Sequence, residues 1–174
     1  NFGWPIMEGK SCFGSATCDQ SGLVLPITDY THEGNCSVTG GFVYRGSAIP
    51  ELVGKYVFGD LAIRNAPPRV DGRLFYADLQ AGTIREFLLP QFPAGVLPNG
   101  LTVHGLGQDA QGELYVLVTN TSANGTGGIA YKFAPVRLDA QAQGNWLELS
   151  WPAAGARLQS QTNSLSTGIS SNWA

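Results

Sequence analysis

The sequence predicts an all-β protein, on three observations: few charges, many turn formers, and short apolar runs at regular spacing. Charged residues make up only 13% of the chain, against the usual quarter. The 23 glycines and 10 prolines divide it into segments of strand length rather than helix length. With 174 residues and 43% hydrophobic content, the chain can bury a real core. No apolar run approaches the ~20 residues that cross a bilayer, so no membrane span is expected. A formal net charge of −3 and the lack of a basic cluster argue against nucleic acid as a partner.

The elements follow in order. Residues 1–22 are loop-like, with Phe2 and Trp4 set among turn residues. Leu23 to Tyr30 is expected to be a short strand. Ser37 to Arg45 (SVTGGFVYR) is β-rich, and its pair Gly40–Gly41 predicts a bulge or a close backbone approach. Residues 47–54 form a connector with one helical turn. Tyr56 to Leu61 is a strand, and Ala62 to Asp71, with its prolines and arginines, is a surface insertion. Gly72 to Leu79 and Thr83 to Leu89 form a hairpin around Gln80-Ala81-Gly82. Residues 90–100 are a long loop. Leu101 to Leu106, a turn at Asp109–Gly112, Glu113 to Thr119, a polar loop and Ile129 to Phe133 complete the set.

Tyr56–Leu61 and Phe75–Leu79 share an imperfect similarity: both are aromatic-rich and end in Asp-Leu. Roughly four strands per ~40–50 residues is the rhythm of propeller blades. A β-sandwich or barrel would give the same pattern. Past Pro135 the texture changes. Trp146 to Trp151 (WLELSW) alternates as one half-buried strand, and Arg157 to Gln161 is a second.

Three cysteines, Cys12, Cys18 and Cys36, lie in one stretch without metal-binding spacing. A disulfide formed in an oxidising compartment is the better reading. Of the three possible pairings, Cys12 with Cys18 closes a short loop around Gly14 and is preferred. Cys36 is then free, buried, or paired outside this sequence. The start at Asn1 and the stop at Asn172-Trp173-Ala174 both read as cuts, so the chain is expected to be a fragment.

Five strings carry a family resemblance: NFGWPIMEG (1–9), CSVTGGFVYRGSAIPEL (36–52), GKYVFGDL (54–61), GRLFYADLQAGTIREF (72–87) and GQDAQGELYVL (107–117). In this order they resemble the glucose/sorbosone dehydrogenase family of six-bladed β-propellers. That family includes soluble bacterial aldose dehydrogenases using pyrroloquinoline quinone (PQQ), and the propeller of hedgehog-interacting proteins. The resemblance implies that residues 1–134 are the C-terminal part of such a propeller, about its last two blades. Residues 135–143 are then a linker. Residues 144–174 resemble the start of a β-sandwich-like module found on large secreted bacterial proteins. A secreted, periplasmic or cell-surface location is implied.

The resemblance also implies chemistry. Family enzymes oxidise the anomeric hydroxyl of an aldose, with PQQ and calcium as cofactors. Their catalytic base, a histidine, comes from the first half of the propeller, so no catalytic residue is expected in this chain. A lysine and two arginines from later blades hold the quinone carboxylates, because anions call for cationic, bidentate donors. Here the lysine position falls near Asp60 to Ala62, where no lysine stands. Thr102 and His104 occupy the arginine positions. His104, Arg45 and Asp60 remain as the residues nearest to cofactor binding. The alternative to an enzyme is a propeller that binds a sugar, a glycan or an extracellular protein.

Each candidate has an ordinary reading beside the functional one. His32 is either a pocket-rim residue or, more commonly, a solvated loop histidine. His104 lines the central cavity or faces a neighbouring blade. Arg45 and Asp60 form a polar pair at the cavity mouth, or else cap turns and join blades. Asp109 and Glu113 lack calcium-loop spacing and are explained by turn chemistry. Asn35-Cys36-Ser37, Asn120-Thr121-Ser122 and Asn124-Gly125-Thr126 fit the glycosylation triplet.

Overall fold

The structure, a computed structural model, describes residues 1–31, 37–63, 70–89, 97–98, 100–120, 127–136, 139–143 and 146–150. His32, Cys36, the tract 64–69, most of the 90–100 loop, the triplets at Asn35 and Asn124 and the strand expected at 157–161 lie outside them. The chain divides into two compact units, Asn1–Pro135 and Val136–Ala174.

The first unit opens with a small hairpin, β1 (Met7–Glu8) and β2 (Ser11–Cys12). A disulfide joins Cys12 to Cys18. Four strands then form one antiparallel meander: β3 (Val38–Val43), β4 (Tyr56–Asp60), β5 (Arg73–Asp78) and β6 (Thr83–Glu86). The connector between β3 and β4 carries one turn of 3-10 helix, Pro50–Leu52. A second meander follows: β7 (Thr102–Gln108), β8 (Leu114–Thr119) and β9 (Ile129–Lys132). The described residues are thus almost entirely β, in separate antiparallel sheets with no closed barrel.

Both sheets begin at strands that lie against each other. The Thr39 hydroxyl on β3 donates to the Val103 carbonyl on β7 at 3.3 Å. The Val103 N–H donates to the Leu61 carbonyl at 3.2 Å. Successive meanders radiating from adjoining first strands are how propeller blades stack. The apolar sides of both sheets meet between them: Leu74, Val103, Val116 and Val118 form one buried cluster, and Tyr44, Val57 and Leu114 another. Phe87 and Phe133 bridge the clusters, their ring centres 5.4 Å apart. Each such side chain contributes about 1.5–3 kcal/mol by leaving water. The opposite side of the first sheet buries Phe58, Phe75 and Ala77 against Tyr30 and Tyr56.

Both first strands are bulged. Thr39 pairs with Gly59 and Phe42 with Val57, so Gly40 and Gly41 share the span of Phe58, as the glycine pair predicts. In β7, Val103 pairs with Val118 and Gly105 with Leu117, which leaves His104 as the extra residue.

Four expectations need correction. Leu23–Tyr30 is not a strand. Pro26 has no N–H to give a ladder, and the segment's backbone N–H groups bond locally, Val24 to the Asn1 carbonyl and Leu23 to the Gln20 carbonyl. Conversely, the hairpin β1–β2 lies within residues read as loop. Asp139–Gln143, read as linker, is strand β10, and it pairs with β11 (Trp146–Ser150). The matched Asp-Leu endings are not a repeat. Asp60 closes β4 at one end of the sheet, opposite Arg73, whereas Asp78 closes β5 at the other end, opposite Thr83.

Candidate functional site

The two ends of the sheets differ. At one end the connections are compact: 44–55 is tied by Tyr44 N–H to Lys55 and Gly54 N–H to Tyr44, and 79–82 and 109–113 are tight turns. At the other end leave the long connections 61–72, 87–101 and 120–128, together with the approach to β3. Binding residues concentrate on long connections held by a rigid scaffold.

Asp60 sits at this long-connection end, only 1% exposed. Its carboxylate accepts from the Tyr30 hydroxyl at 2.7 Å and from the Ser37 N–H at 2.9 Å. Burial, and the bond to Asp60, push the Tyr30 hydroxyl pKa up. His104 lies at the same end, exposed on its bulge. A bulge re-aims the side chain it carries. Arg45 lies elsewhere. It is exposed beyond β3 at the compact end, beside the Gly112 turn. At ~3.3 Å per strand residue it stands about 20 Å from the Val38–Asp60 end. Arg45 and Asp60 therefore form no pair, and the three residues read as cofactor-binding do not share one cradle.

The hydrogen-bond order fixes the His104 ring. The Thr102 hydroxyl spends its proton on the Thr119 carbonyl at 2.9 Å. Toward His104 Nε2, 3.0 Å away, it can only accept, so Nε2 carries the proton and Nδ1 of the neutral ring is an acceptor. Nitrogen-15 spectra of the neutral imidazole should show Nε2 protonated and Nδ1 bare. The reverse pattern would refute this assignment. Thr102→Val removes both bonds and should cost about 1–2 kcal/mol.

A pocket of about 340 Å³ lies against the first sheet and reaches its long-connection end at Thr31, Ser37 and Asp60, within the size range of small-molecule sites. Tyr30, Tyr56 and Phe58 line it. The Phe58 ring centre is 6.1 Å from Tyr30 and 5.7 Å from Tyr56, with interplanar angles of 29° and 23°. Glu8, Asp29 and Asp60 supply carboxylates. They do not converge: among the described residues, no group of three His, Cys, Asp or Glu side chains could hold a metal ion. Among the described residues, the three read as cofactor-binding do not by themselves make a cradle for the quinone. Asp60 is an acceptor where its carboxylates need cations, and Arg45 is out of reach.

Sequence reasoning missed Tyr30, Tyr56, Asp29 and Glu113. The tyrosines read as strand residues, and only folding sets them in one row with Phe58. Glu113 read as part of a turn. Asp109 alone caps that turn, accepting from the Gln111 and Glu113 N–H groups at 3.0 and 2.8 Å. Glu113 instead reaches across to the first sheet: it accepts from the Tyr44 hydroxyl at 2.7 Å and from the Ser47 and Ala48 N–H groups at 2.9 and 3.0 Å.

No helix among the described residues is long and apolar enough to cross a membrane. No family model matches the chain, and no solved structure matches it. Two curated plant proteins do. The HIPL2 protein of Arabidopsis thaliana is 36% identical over 73 residues, covering 35% of this chain and 10% of its own length. The HIPL1 protein of the same plant is 30% identical over 74 residues, covering 35% of this chain and 11% of its own. The chain spans about a tenth of the length of these relatives, and over that stretch it is similar to hedgehog-interacting-protein-like proteins.

Proposed function

We propose that this chain belongs to an extracellular β-propeller that binds a sugar or glycan and does no chemistry of its own. The pocket over Tyr30, Phe58 and Tyr56 carries the reading. The partly exposed rings of Tyr30 and Tyr56 can receive the C–H side of a sugar ring, and carboxylates at the margin accept hydrogen bonds from its hydroxyls. The Cys12–Cys18 bridge supports an oxidising location: secreted, periplasmic or cell-surface. The aldose-oxidising reading rests on resemblance. It requires a cationic cradle for the quinone, and the described residues supply Asp60, Thr102 and His104 at the corresponding places. No oxidation step is therefore assigned to this chain.

One experiment decides between them. The full-length protein is titrated with neutral and charged oligosaccharides by calorimetry. It is then mixed with PQQ, calcium, an aldose and a redox dye. Sugar binding without dye reduction is the expected result. Dye reduction that depends on PQQ would overturn it, as would the absence of binding to every sugar.

A further inference from the structure

We propose that the pocket takes a sugar joined to an apolar chain, an alkyl glycoside, in preference to a bare sugar; this rests on the glycan-binding reading and names its ligand class. Strand register gives the pocket two unlike ends. Tyr56, Phe58 and Asp60 share one face of β4, because alternate residues of a strand point the same way. Ladder pairing sets Ala77 beside Tyr56 and Ile84 beside Ala77. Both therefore stand at the Tyr56 end, with Leu79 just past the end of β5. All of these residues line the cavity. At ~3.3 Å per strand residue, Asp60 stands about 13 Å from Tyr56, at the opposite end. There its carboxylate accepts from the Ser37 N–H at 2.9 Å.

The irregular segment from Pro26 to Thr31 supplies the facing wall and repeats this polarity. Beside Pro26, the Ile27 carbonyl oxygen lies 3.5 Å from where a Cβ on Gly82 would stand, in the turn between β5 and β6. Pro26 thus belongs to the Tyr56 end. At the other end Tyr30 donates its hydroxyl to Asp60 at 2.7 Å, and exposed Thr31 follows. One end is therefore walled by Pro26, Ala77, Leu79 and Ile84, and the other carries the hydroxyls of Thr31 and Ser37. A bare sugar has hydroxyls around its whole edge. Some would be pressed against the apolar end, where they leave water without gaining a partner. A glycoside with its sugar toward Thr31 and Ser37 places only methylene groups there, and each one buried raises affinity about fourfold. The cavity, of about 340 Å³, is longer than one pyranose ring and leaves room for a short chain. The ligand is neutral, so Asp29 keeps its bond from the Lys10 N–H and Asp60 keeps its donors.

The test titrates the full-length protein by calorimetry with the methyl and hexyl glycosides of glucose, galactose and mannose, and with hexanol, all below micelle-forming concentrations. For at least one sugar the hexyl form should bind about tenfold or more tightly than the methyl form, and hexanol should bind more weakly than that glycoside. Ile84→Thr keeps a β-branched side chain on β6, so the strand should persist. It should cancel most of the hexyl gain and leave the methyl glycoside unchanged. Leu79→Thr, outside the strands, is a second variant with the same expected result. Equal affinity for methyl and hexyl forms would overturn the alkyl assignment while leaving the glycan-binding reading intact. Hexanol binding as tightly as the hexyl glycosides, or no binding of any glycoside, would overturn both. A hexyl gain indifferent to both variants would place the chain outside this pocket and overturn the proposal.

Discussion

Gly41→Ala is expected to prevent the first sheet from forming. A Cβ at Gly41 would stand 1.7 Å from the Val57 carbonyl oxygen, 2.8 Å from its carbon and 3.0 Å from Phe58 Cα. All three are backbone atoms. β4 cannot retreat, because β5 is paired along its other edge from Tyr56 to Asp60 and Val57 is fully buried. The loss should exceed about 4 kcal/mol, the range reserved for backbone overlap and core disruption, and that is a large share of any domain's stability. Gly40→Ala is the control. Its Cβ would meet only the Tyr56 hydroxyl oxygen, at 3.7 Å, so it should change stability by less than about 1 kcal/mol. Urea unfolding followed by far-ultraviolet circular dichroism reads both. A Gly41→Ala protein with an unfolding midpoint close to the parent would show that the bulge can relax, and the account of β3 would fall with it.

That contrast also shows how much could be read in advance. Two adjacent glycines inside a β-rich run announce a bulge, because only close backbone approach makes a bare residue worth its entropic cost. Which of the two is indispensable depends on Val57, sixteen positions on, and no local pattern reveals it. The strands of both meanders were legible for a similar reason: each is a short apolar run between turn residues, and its partner is its neighbour in sequence. Leu23–Tyr30 has the same local texture but no partner, and a strand exists only as part of a ladder. The long-connection end follows from strand alternation once the meander is accepted, whereas Asp60 and His104 were singled out by the family resemblance. Placing Arg45 beside them fails on the same alternation, since a residue following β3 must leave at the far end. The pocket was invisible because Tyr30 and Tyr56–Asp60 meet through the packing of an irregular segment on a sheet. Such packing leaves no periodic trace.

The second large effect is expected at Glu113, the buried acid that joins the two sheets. It is only 6% exposed and receives the Tyr44 hydroxyl and two backbone N–H groups. Gly46 is bare where a Cβ would press within 2.6 Å of that carboxylate. The Tyr44 hydroxyl bond, with the Ala48 and Ser47 N–H groups, holds the Glu113 pKa below its ordinary 4.5. In the native protein Glu113 therefore binds its proton less readily than in the unfolded chain. Its contribution is complete above pH 4.5 and disappears as the pH falls through the lowered native value. Asp78 behaves alike, held to about 2 by Lys55 and by the Ala81 and Gln80 N–H groups, so its contribution is lost between about pH 4 and 2. Glu113→Ala strands three donors, one of them on fully buried Tyr44, and should lower the thermal midpoint by about 10 °C. Tyr44→Phe removes one charge-assisted bond and should cost about 1.5–3 kcal/mol. The two should not add, since each breaks the same bond. Measured against pH, the parent should lose stability below pH 4.5 more steeply than Glu113→Ala. Parallel profiles would mean that this carboxylate does not join the sheets, and that the blades are held by apolar packing alone.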